Sequence, residues 1–362
     1  MDIILETPGS RVGKKKDMLK LDVPDVPSTQ VPMREVESII VGNGVQITSQ
    51  ALKALSSYAV NIVYTSLGQP YGIYTPFANV GTVFTRRQQI LAYDDWRGLH
   101  LATQFVYSTI ENKRRLLLYF AKNRKQSNPG KYNMLRAAAK NIGKIADALL
   151  KFSKFSAKGK RIDDVRMELM GFEGKATAIY FQNYGSLFPR EFRVFERTRR
   201  PPKDPVNSLL SLGYTVLQGH VTTAIAAAGL ELYGGFLHSD RSGKPSLALD
   251  LLEEFRQPII DRLMAKLIQR RVFELDDFKQ SLHGYRLKKK KKSIYYKKLR
   301  EEVLGKDTSE LLFEKKELEE PSLSTSKKIK LNYKREMVAQ ARKLANFLIG
   351  STSAYEPFLM NW

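Results

Sequence analysis

One histidine and a cluster of acidic residues lie close together between residues 236 and 256. His238 precedes a polar turn, and Asp250, Glu253 and Glu254 follow that turn on a predicted helix. Side chains three residues apart project from the same face of a helix, so Asp250 and Glu253 point the same way. Carboxylate oxygens and an imidazole are ligands that suit Mg²⁺ or Mn²⁺. The segment therefore predicts metal-assisted chemistry.

The chain around this cluster is strongly basic. Lys and Arg number 60 against 37 Asp and Glu, which gives a formal net charge of +23. A positive surface field favours nucleic acid or an anionic membrane as the partner, although a basic protein with neither partner is the simpler alternative. A metal site beside arginines in such a chain points to a phosphodiester substrate.

The composition also excludes several classes of protein. The chain contains no cysteine, which excludes disulfides, thiolate catalysis and zinc–thiolate sites. Its start lacks a basic segment followed by an apolar run, and the chain has no uncharged apolar stretch of about 18 residues. We therefore expect a soluble, cytoplasmic protein without a membrane partner.

The apolar pattern changes period along the 362 residues. Short apolar runs between turn residues predict strands at 38–41, 61–65 and 71–74, with one helix at about 49–58. From about residue 85 the apolar residues recur with the period of a helix. The fold class we expect is α+β, with a small β-rich domain at residues 1–84 and a larger all-α domain at residues 85–362.

The second domain is predicted to be helical throughout most of its length. The expected helices are 134–152, 174–186, 207–228, 246–271 and 336–348. An apolar stripe before them comprises Ile90, Leu91, Leu99, Leu101, Phe105, Val106 and Ile110. Pro258 should kink the fourth helix near Glu254, because its ring clashes with the carbonyl four residues earlier. Residues 306–330 are acidic and then rich in serine and lysine, which predicts a loosely ordered connector.

Two basic runs in the second domain suit contacts with phosphates that do not depend on base sequence. Residues 111–160 carry 14 Lys and Arg against two acids, and residues 281–300 carry nine against none. Lys288, Lys289 and Lys290 in the second run are candidate DNA contacts. A solvated, charged face is the alternative explanation for that run.

Several candidate residues also have ordinary structural explanations. A lone histidine is more often packed or surface-exposed than a ligand, so His238 gains weight only from the acids near it. Glu173 stands alone near a helix start, where the helix dipole already favours a glutamate. Tyr214 could support a leaving group or pack in the core. Three basic side chains flank the acidic cluster as candidate phosphate clamps: Arg241, Lys244 and Arg256.

Eight short stretches, each weak alone, form a specific combination along the chain. They are VESIIVG at 36–42, GVQITS at 44–49, FEGKA at 172–176, NSLLSLGY at 207–214, GFLH at 235–238, PSLALDLLEEFR at 245–256, AQARKL at 339–344 and YEPF at 355–358. In this order they resemble the universal endonuclease and integrase family of CRISPR adaptation, which inserts captured DNA as new spacers.

The resemblance implies a β-sandwich-like amino-terminal domain that forms a homodimer and a helical catalytic domain. It implies the metal ligands Glu173, His238 and Glu253, with Asp250 contributing to the catalytic site. A shift of one residue in the helix would make Glu254 the third ligand instead. The implied partners are double-stranded and branched DNA and a small ferredoxin-like CRISPR adaptation protein.

The activity we expect is transesterification assisted by Mg²⁺ or Mn²⁺: a DNA 3′-hydroxyl attacks a phosphodiester, and water in its place gives nuclease activity. Two other classes remain open. A noncatalytic, basic DNA-bridging scaffold would be indifferent to metal, and a metal-dependent phosphatase or RNA nuclease would differ in substrate. The amino-terminal domain shows no evident chemistry and fits a dimer interface, with Tyr71 and Tyr74 as candidate aromatic contacts.

Overall fold

Strands dominate the first 74 residues of the chain, and helices dominate the rest. The structure, a computed structural model, describes residues 2–5, 7–36, 38–66, 69–76, 81–199, 201–282, 284–304 and 332–361. His283 and the predicted connector at 306–330 lie outside the described residues.

The amino-terminal part is built from two small sheets that face each other. Its elements are β1 (Asp2–Leu5), β2 (Arg11–Lys15), β3 (Met18–Val23), β4 (Val26–Pro32), β5 (Ser38–Val41), β6 (Gln46–Ile47), α1 (Ser49–Ser57), β7 (Asn61–Ser66) and β8 (Gln69–Tyr74). The strand orders are β1-β5-β7-β8 and β4-β3-β2-β6. Leu5 and Ile39 of the first sheet and Leu19 and Leu21 of the second share one buried core. The sandwich-like architecture is thus confirmed.

The predicted strands at 38–41, 61–65 and 71–74 and the helix at 49–58 are present within one or two residues of their predicted bounds. Strands β1 to β4 were not predicted. In β3, buried side chains alternate with partly exposed ones from Met18 to Val23. This period of two is typical of a half-buried strand, so the sequence did carry a signal for β3.

The described residues after Pro76 are mainly helical and include one hairpin. Their elements are α2 (Gly81–Ala92), α3 (Trp96–Lys122), α4 (Pro129–Lys151), α5 (Ile162–Tyr184), α6 (Pro205–Ala227), α7 (Ser246–Leu252), α8 (Arg262–Gln269), β9 (Phe278–Ser281), β10 (Gly284–Leu287), α9 (Lys289–Leu304) and α10 (Tyr333–Leu348). The antiparallel pair β9–β10 departs from the all-α expectation for this region.

Side-chain caps fix where the long helices begin. The carboxylate of Asp95 accepts the backbone N–H of Arg97 at 2.8 Å at the start of α3. Asn128 and Asp204 cap α4 and α6 in the same way, and a proline follows each of them. Such caps satisfy backbone donors that have no partner within the helix.

Two residues of the predicted apolar stripe do not belong to the core. Ile90 and Leu91 are 64% and 53% exposed, whereas Leu101 and Phe105 are fully buried. The chain turns between α2 and α3, so the two helices do not share one continuous apolar face. Assigning Ile90 and Leu91 to the buried stripe was therefore wrong.

The strand-rich and helical parts are in direct contact. Helix α6 packs against β5, β7 and β8, and Ile40 and Val63 are buried within the core of the helical part. The division into domains at residues 84 and 85 stays a prediction. No helix in the described ranges is both long and apolar enough to cross a membrane, and the cytoplasmic location stays a prediction.

The segment after α10 returns to the core of the helical part. The Tyr355 hydroxyl donates to Glu254 Oε1 at 2.6 Å, and the Phe358 amide donates to Glu254 Oε2 at 2.7 Å. The Met360 amide donates to Asn112 Oδ1 at 2.9 Å. This carboxy-terminal segment, residues 351–361, is thus bonded to α3 and to the turn after α7.

Candidate functional site

His238 and Asp250 form the best-defined pair of the candidate site. Asp250 is fully buried on α7, and its carboxylate accepts the amides of Phe236, Leu237 and His238 at 2.6, 3.0 and 2.9 Å. His238 Nδ1 lies 2.7 Å from Asp250 Oδ1. Gly235 permits this close approach, because a Cβ there would lie 2.6 Å from Ser246 Cβ.

These contacts define what Asp250 does for the histidine. A carboxylate accepts only, so His238 Nδ1 carries the proton of this hydrogen bond and Nε2 presents a lone pair. The carboxylate of Asp250 already accepts four donors. Asp250 thus orients the imidazole, as carboxylates do for metal-bound histidines in general.

Glu173, on α5, is paired with a buried lysine from α3. Lys113 Nζ lies 2.6 Å from Glu173 Oε1 and 2.5 Å from Thr177 Oγ1. Lys113 is 3% exposed and Glu173 is 33% exposed. Burial opposes ionisation of Glu173, but the ammonium of Lys113 outweighs it and lowers the pKa of the carboxyl to about 2. Glu173 is therefore an anion at neutral pH.

Glu253 sits directly after α7, one turn beyond Asp250, whose carbonyl accepts its amide at 3.2 Å. Its Oε1 atom lies 2.5 Å from Arg256 Nη1, and both side chains are largely buried. The charge of Arg256 also contributes to the lowered pKa of Glu173. Arg256 thus pairs with Glu253 and is near enough for its charge to act on Glu173.

Glu254 points away from this neighbourhood, towards the carboxy-terminal segment. It is fully buried, and burial raises its pKa to about 8 despite the hydrogen bonds from Tyr355 and Phe358. Adjacent residues in a helical turn diverge by roughly 100°, and here the turn after α7 sends Glu253 and Glu254 to different partners. The geometry favours Glu253 as the third ligand.

Tyr214 and Arg256 are engaged inside the protein. The Tyr214 hydroxyl donates to Asp261 Oδ1 at 2.5 Å, and Tyr180 donates to Asp261 Oδ2 at 2.8 Å. The guanidinium carbons of Arg256 and Arg197 lie 5.1 and 5.4 Å from the centre of the Tyr214 ring. A role for Tyr214 or Arg256 at DNA stays a prediction, and it has to be compatible with these contacts.

The other predicted DNA contacts lie in two places. Arg241 is exposed on the turn that follows His238, and Lys244 Nζ donates to the carbonyl of Ser239 at 3.4 Å. Lys288 and Lys290 are exposed where the hairpin joins α9. Lys289 is the first residue of α9, and its side chain lies outside the described set.

Sequence reasoning missed three residues of this neighbourhood: Lys113, Arg197 and Asp261. Lys113 lies in the basic run at 111–160, but no spacing distinguishes it from the other cations there. No local signal distinguishes Asp261, whose partners Tyr180 and Tyr214 are distant in the sequence. Only the tertiary structure pairs Lys113 with Glu173, because α3 and α5 are separated by more than 30 residues of chain.

The donor set suits a hard divalent cation: two carboxylates and an imidazole with Nε2 available. In the described part of the chain, however, no three histidine, aspartate or glutamate side chains are close enough to share an ion. Lys113 and Arg256 now hold the two carboxylates. The residues therefore fit a metal by chemistry, and each carboxylate would coordinate it beside its cation or in place of it.

Comparison with known proteins gives a consistent family. The model of the family described as CRISPR associated protein Cas1 matches residues 3–301. The chain is 33% identical over 337 residues to CRISPR-associated endonuclease Cas1 3 of Thermus thermophilus, covering 91% of this chain and 87% of that one.

Two solved structures share the fold. One chain is from a partial Cas6-RT-Cas1–Cas2 complex, with a TM-score of 0.74, 22% identity and 99% of both chains covered. The other is a casposase bound to an integration product, with a TM-score of 0.69, 19% identity, and 98% of this chain and 97% of that one covered. At these identities, the likeness shows the fold alone.

Proposed function

The chain belongs to the CRISPR associated protein Cas1 family, and on that premise we propose that it is a metal-dependent DNA endonuclease and integrase of CRISPR adaptation. The observation that carries the proposal is His238, oriented by buried Asp250, with Glu253 one turn away. Its relative in Thermus thermophilus bears the name of an endonuclease, and the casposase of the same fold is bound to an integration product.

The reaction is a transesterification at phosphorus. The oxygen of a DNA 3′-hydroxyl forms a bond to a phosphodiester phosphorus and loses its proton, and the bond from phosphorus to the leaving oxygen breaks as that oxygen takes up a proton. Water as the attacker gives hydrolysis, and the reverse reaction releases an inserted strand. Mg²⁺ or Mn²⁺, held by Glu173, His238 and Glu253, would neutralise the nonbridging oxygens and orient the attacking oxygen.

The protein's own residues prepare the site for this chemistry. Asp250 holds the His238 ring in one tautomer. Lys113 keeps Glu173 ionised, so that its carboxylate is ready to act as a ligand. Arg241 and Lys244, on the turn next to His238, would contact phosphates of the bound DNA.

The proposed partners are DNA, a second copy of the chain and a small ferredoxin-like protein. A Cas1–Cas2 complex of the same fold supports the protein partner. Strand β8 is at the edge of its sheet and exposes Tyr71 and Ile73 by 66% and 55%, which fits a dimer interface. Tyr74 is less available, since its hydroxyl lies 2.6 Å from Ser56 Oγ.

The test is turnover of a branched DNA that carries a mock-integrated strand, with Mn²⁺ and with a chelator. We expect Mn²⁺-dependent strand transfer in the wild type and its loss in Glu173→Gln and His238→Ala, with DNA binding retained. Glu168→Gln, an exposed acid on the same helix α5, is the matched control and should react like wild type.

Other outcomes would decide against the proposal. Equal turnover in all variants, or none in a wild type that binds DNA tightly, would indicate the noncatalytic scaffold. Faster metal-dependent cleavage of an RNA of the same sequence would indicate an RNA nuclease.

A further inference from the structure

Helix α2 buries a glutamine and exposes the apolar residues next to it. Gln89 is 2% exposed, whereas Ile90 and Leu91 are 64% and 53% exposed. Burial of a polar side chain is unfavourable unless hydrogen bonds compensate for the lost water. The hydrogen-bond partners of Gln89 therefore indicate why this face of α2 is turned inward.

The partners of Gln89 are all backbone atoms of one short segment, residues 231–234. Gln89 Nε2 donates to the carbonyls of Glu231 and Gly234 at 2.8 and 2.7 Å. Gln89 Oε1 accepts the amide of Glu231 at 2.8 Å. The orientation of the side-chain amide follows from these partners, because an oxygen beside two carbonyl oxygens would be repelled. Both N–H groups and the oxygen of Gln89 are thus in use.

The segment that Gln89 binds leads directly to His238. All of residues 228–245, between α6 and α7, are described, and they contain neither helix nor strand. Hydrogen bonds to other elements therefore have to fix the path of this segment. Asp250, on α7, accepts the amides of residues 236–238, and the contacts with Gln89 end two residues earlier, at Gly234. Side chains from α2 and α7 thus hold the segment at two points.

We propose that Gln89 is a positioning residue for His238. Its side chain fixes residues 231–234, so that the amides of residues 236–238 and the imidazole meet the carboxylate of Asp250. Without Gln89, the segment can pivot about its bonds to Asp250, and the imidazole loses its fixed direction. The inference rests on the proposed function for the metal ion that His238 would bind, whereas the effect of Gln89 on the segment requires no metal.

Two variants test the role of Gln89. Gln89→Glu keeps the shape of the side chain, but a carboxylate has no donor for the two carbonyls, and a protonated carboxyl group has one. Gly234→Ala perturbs the same contact from the other partner, because a Cβ at Gly234 would lie 3.3 Å from Gln89 Nε2. The matched control, Gln182→Glu, makes the same change at an exposed site on α5. Thermal unfolding shows which variants are folded, and Gly234→Ala carries the test if Gln89→Glu is not.

The first measurement is hydrogen exchange of backbone amides by mass spectrometry, without metal or DNA. We expect peptides that cover residues 235–238 to exchange about threefold faster or more in both test variants, because local opening of this segment becomes easier. Amides of α3 should exchange as in wild type, and the control variant should show no change in either region. Wild-type exchange at residues 235–238 in the folded variants, or an equal acceleration in α3, would overturn the proposal.

The second measurement is calorimetric titration with Mn²⁺. Loss of a group that orients a metal ligand typically weakens metal binding by roughly 10–100-fold, and we expect the lower end of this range for Gln89→Glu because Asp250 still contacts His238. The double variant Gln89→Glu/His238→Ala should bind Mn²⁺ as His238→Ala does, since Gln89 acts through His238. A further loss of affinity in the double variant would contradict the positioning role.

Strand transfer adds a readout that separates this inference from the proposed function. Gln89→Glu should lower kcat and leave KM for DNA unchanged, because the DNA-binding surface is intact and only the histidine is displaced. If the wild type neither binds Mn²⁺ nor transfers strands, the integrase proposal fails, and hydrogen exchange still decides whether Gln89 positions the segment. Strand transfer at the wild-type rate by a Gln89→Glu protein with faster exchange at residues 235–238 would overturn the link to His238.

Discussion

At the scale of single residues, the candidate site is a set of charges that already have partners inside the protein. Asp250 has four donors, Glu173 has Lys113 and Glu253 has Arg256. The local spacing within residues 236–256 singled out His238, Asp250 and Glu253 as candidates, whereas Glu173 became one only through the family resemblance. It did not predict the cations, because Lys113 is brought to Glu173 only by packing of α3 against α5.

The Asp250→Asn substitution tests the orienting role of this carboxylate. The NH₂ group of Asn cannot accept hydrogen bonds, so some of the buried N–H donors around residue 250 would lose their acceptor. An NH₂ group beside His238 would also favour the wrong imidazole tautomer. We expect a loss of about 1–3 kcal/mol in the free energy of unfolding and roughly 10–100-fold weaker Mn²⁺ binding.

Denaturant titration and calorimetric Mn²⁺ titration measure the two effects of Asp250→Asn. Asp240→Asn, an exposed acid in the same segment, is the control and should change neither quantity. Wild-type affinity for Mn²⁺ in Asp250→Asn would refute the orienting role.

The Lys113→Gln substitution tests whether this lysine stands in for a divalent ion. Gln can still donate to Glu173 and Thr177, but it cannot neutralise the carboxylate. We expect the metal-free protein to lose about 1–3 kcal/mol of stability and Mn²⁺ to raise its melting temperature more than it raises that of wild type. Lys175→Gln, exposed on α5, should behave like wild type. A smaller Mn²⁺ effect in Lys113→Gln would show that the lysine assists metal binding.

At the scale of elements, the predicted helix at 246–271 shows which features an apolar periodic pattern predicts and which it does not. Pro258 was expected to kink this helix. In the structure, α7 ends at Leu252, and a turn and a π-helical segment at 256–261 separate it from α8. The proline lacks an amide donor, so the hydrogen-bond ladder has to change near it. The kink was predictable from the sequence. The different partners of Glu253 and Glu254 were not, because they depend on the tertiary structure.

The Gly235→Ala substitution tests the contact between the segment before His238 and α7. A Cβ at Gly235 would lie 2.6 Å from Ser246 Cβ and 3.1 Å from Asp250 Oδ2, so the two elements would have to separate. We expect a loss of about 1–3 kcal/mol of stability together with weaker Mn²⁺ binding. Gly171→Ala on α5 meets no atom within 4 Å and should gain roughly 0.5–1 kcal/mol. Denaturant titration of both variants measures the contrast.

At the scale of the whole molecule, the two parts differ in what the sequence made predictable. The α+β class and the change of pattern near residue 80 follow from local periodicity. The packing of α6 on β5, β7 and β8 does not follow from local periodicity, because the apolar residues of α6 could pack against several other elements. Strand β8 also leaves Tyr71 and Ile73 exposed at the edge of its sheet, and we propose that a second copy of the chain covers them.

The Ile73→Glu substitution tests the proposed dimer interface. Ile73 is 55% exposed on the edge strand β8, and a buried glutamate there would be costly in a dimer but harmless in a monomer. We expect sedimentation velocity to show a shift from dimer to monomer at micromolar concentration, with unchanged thermal unfolding of the monomer. Met167→Glu, at a site that is 76% exposed on α5, should leave the association unchanged. A dimeric Ile73→Glu protein would place the interface elsewhere.

The hydrogen bonds of the carboxy-terminal segment have a consequence for the order of events during synthesis. Glu254 receives its donors from Tyr355 and Phe358, and Asn112 receives one from Met360. A nascent chain emerges at about 5–20 residues per second, so α3 and α7 are outside the ribosome for several seconds before these donors arrive. The strand-rich part can close its own core during that time. The helical part cannot close its core during that time, because Glu254 and Asn112 still lack these donors. It completes its core only after translation has passed residue 360.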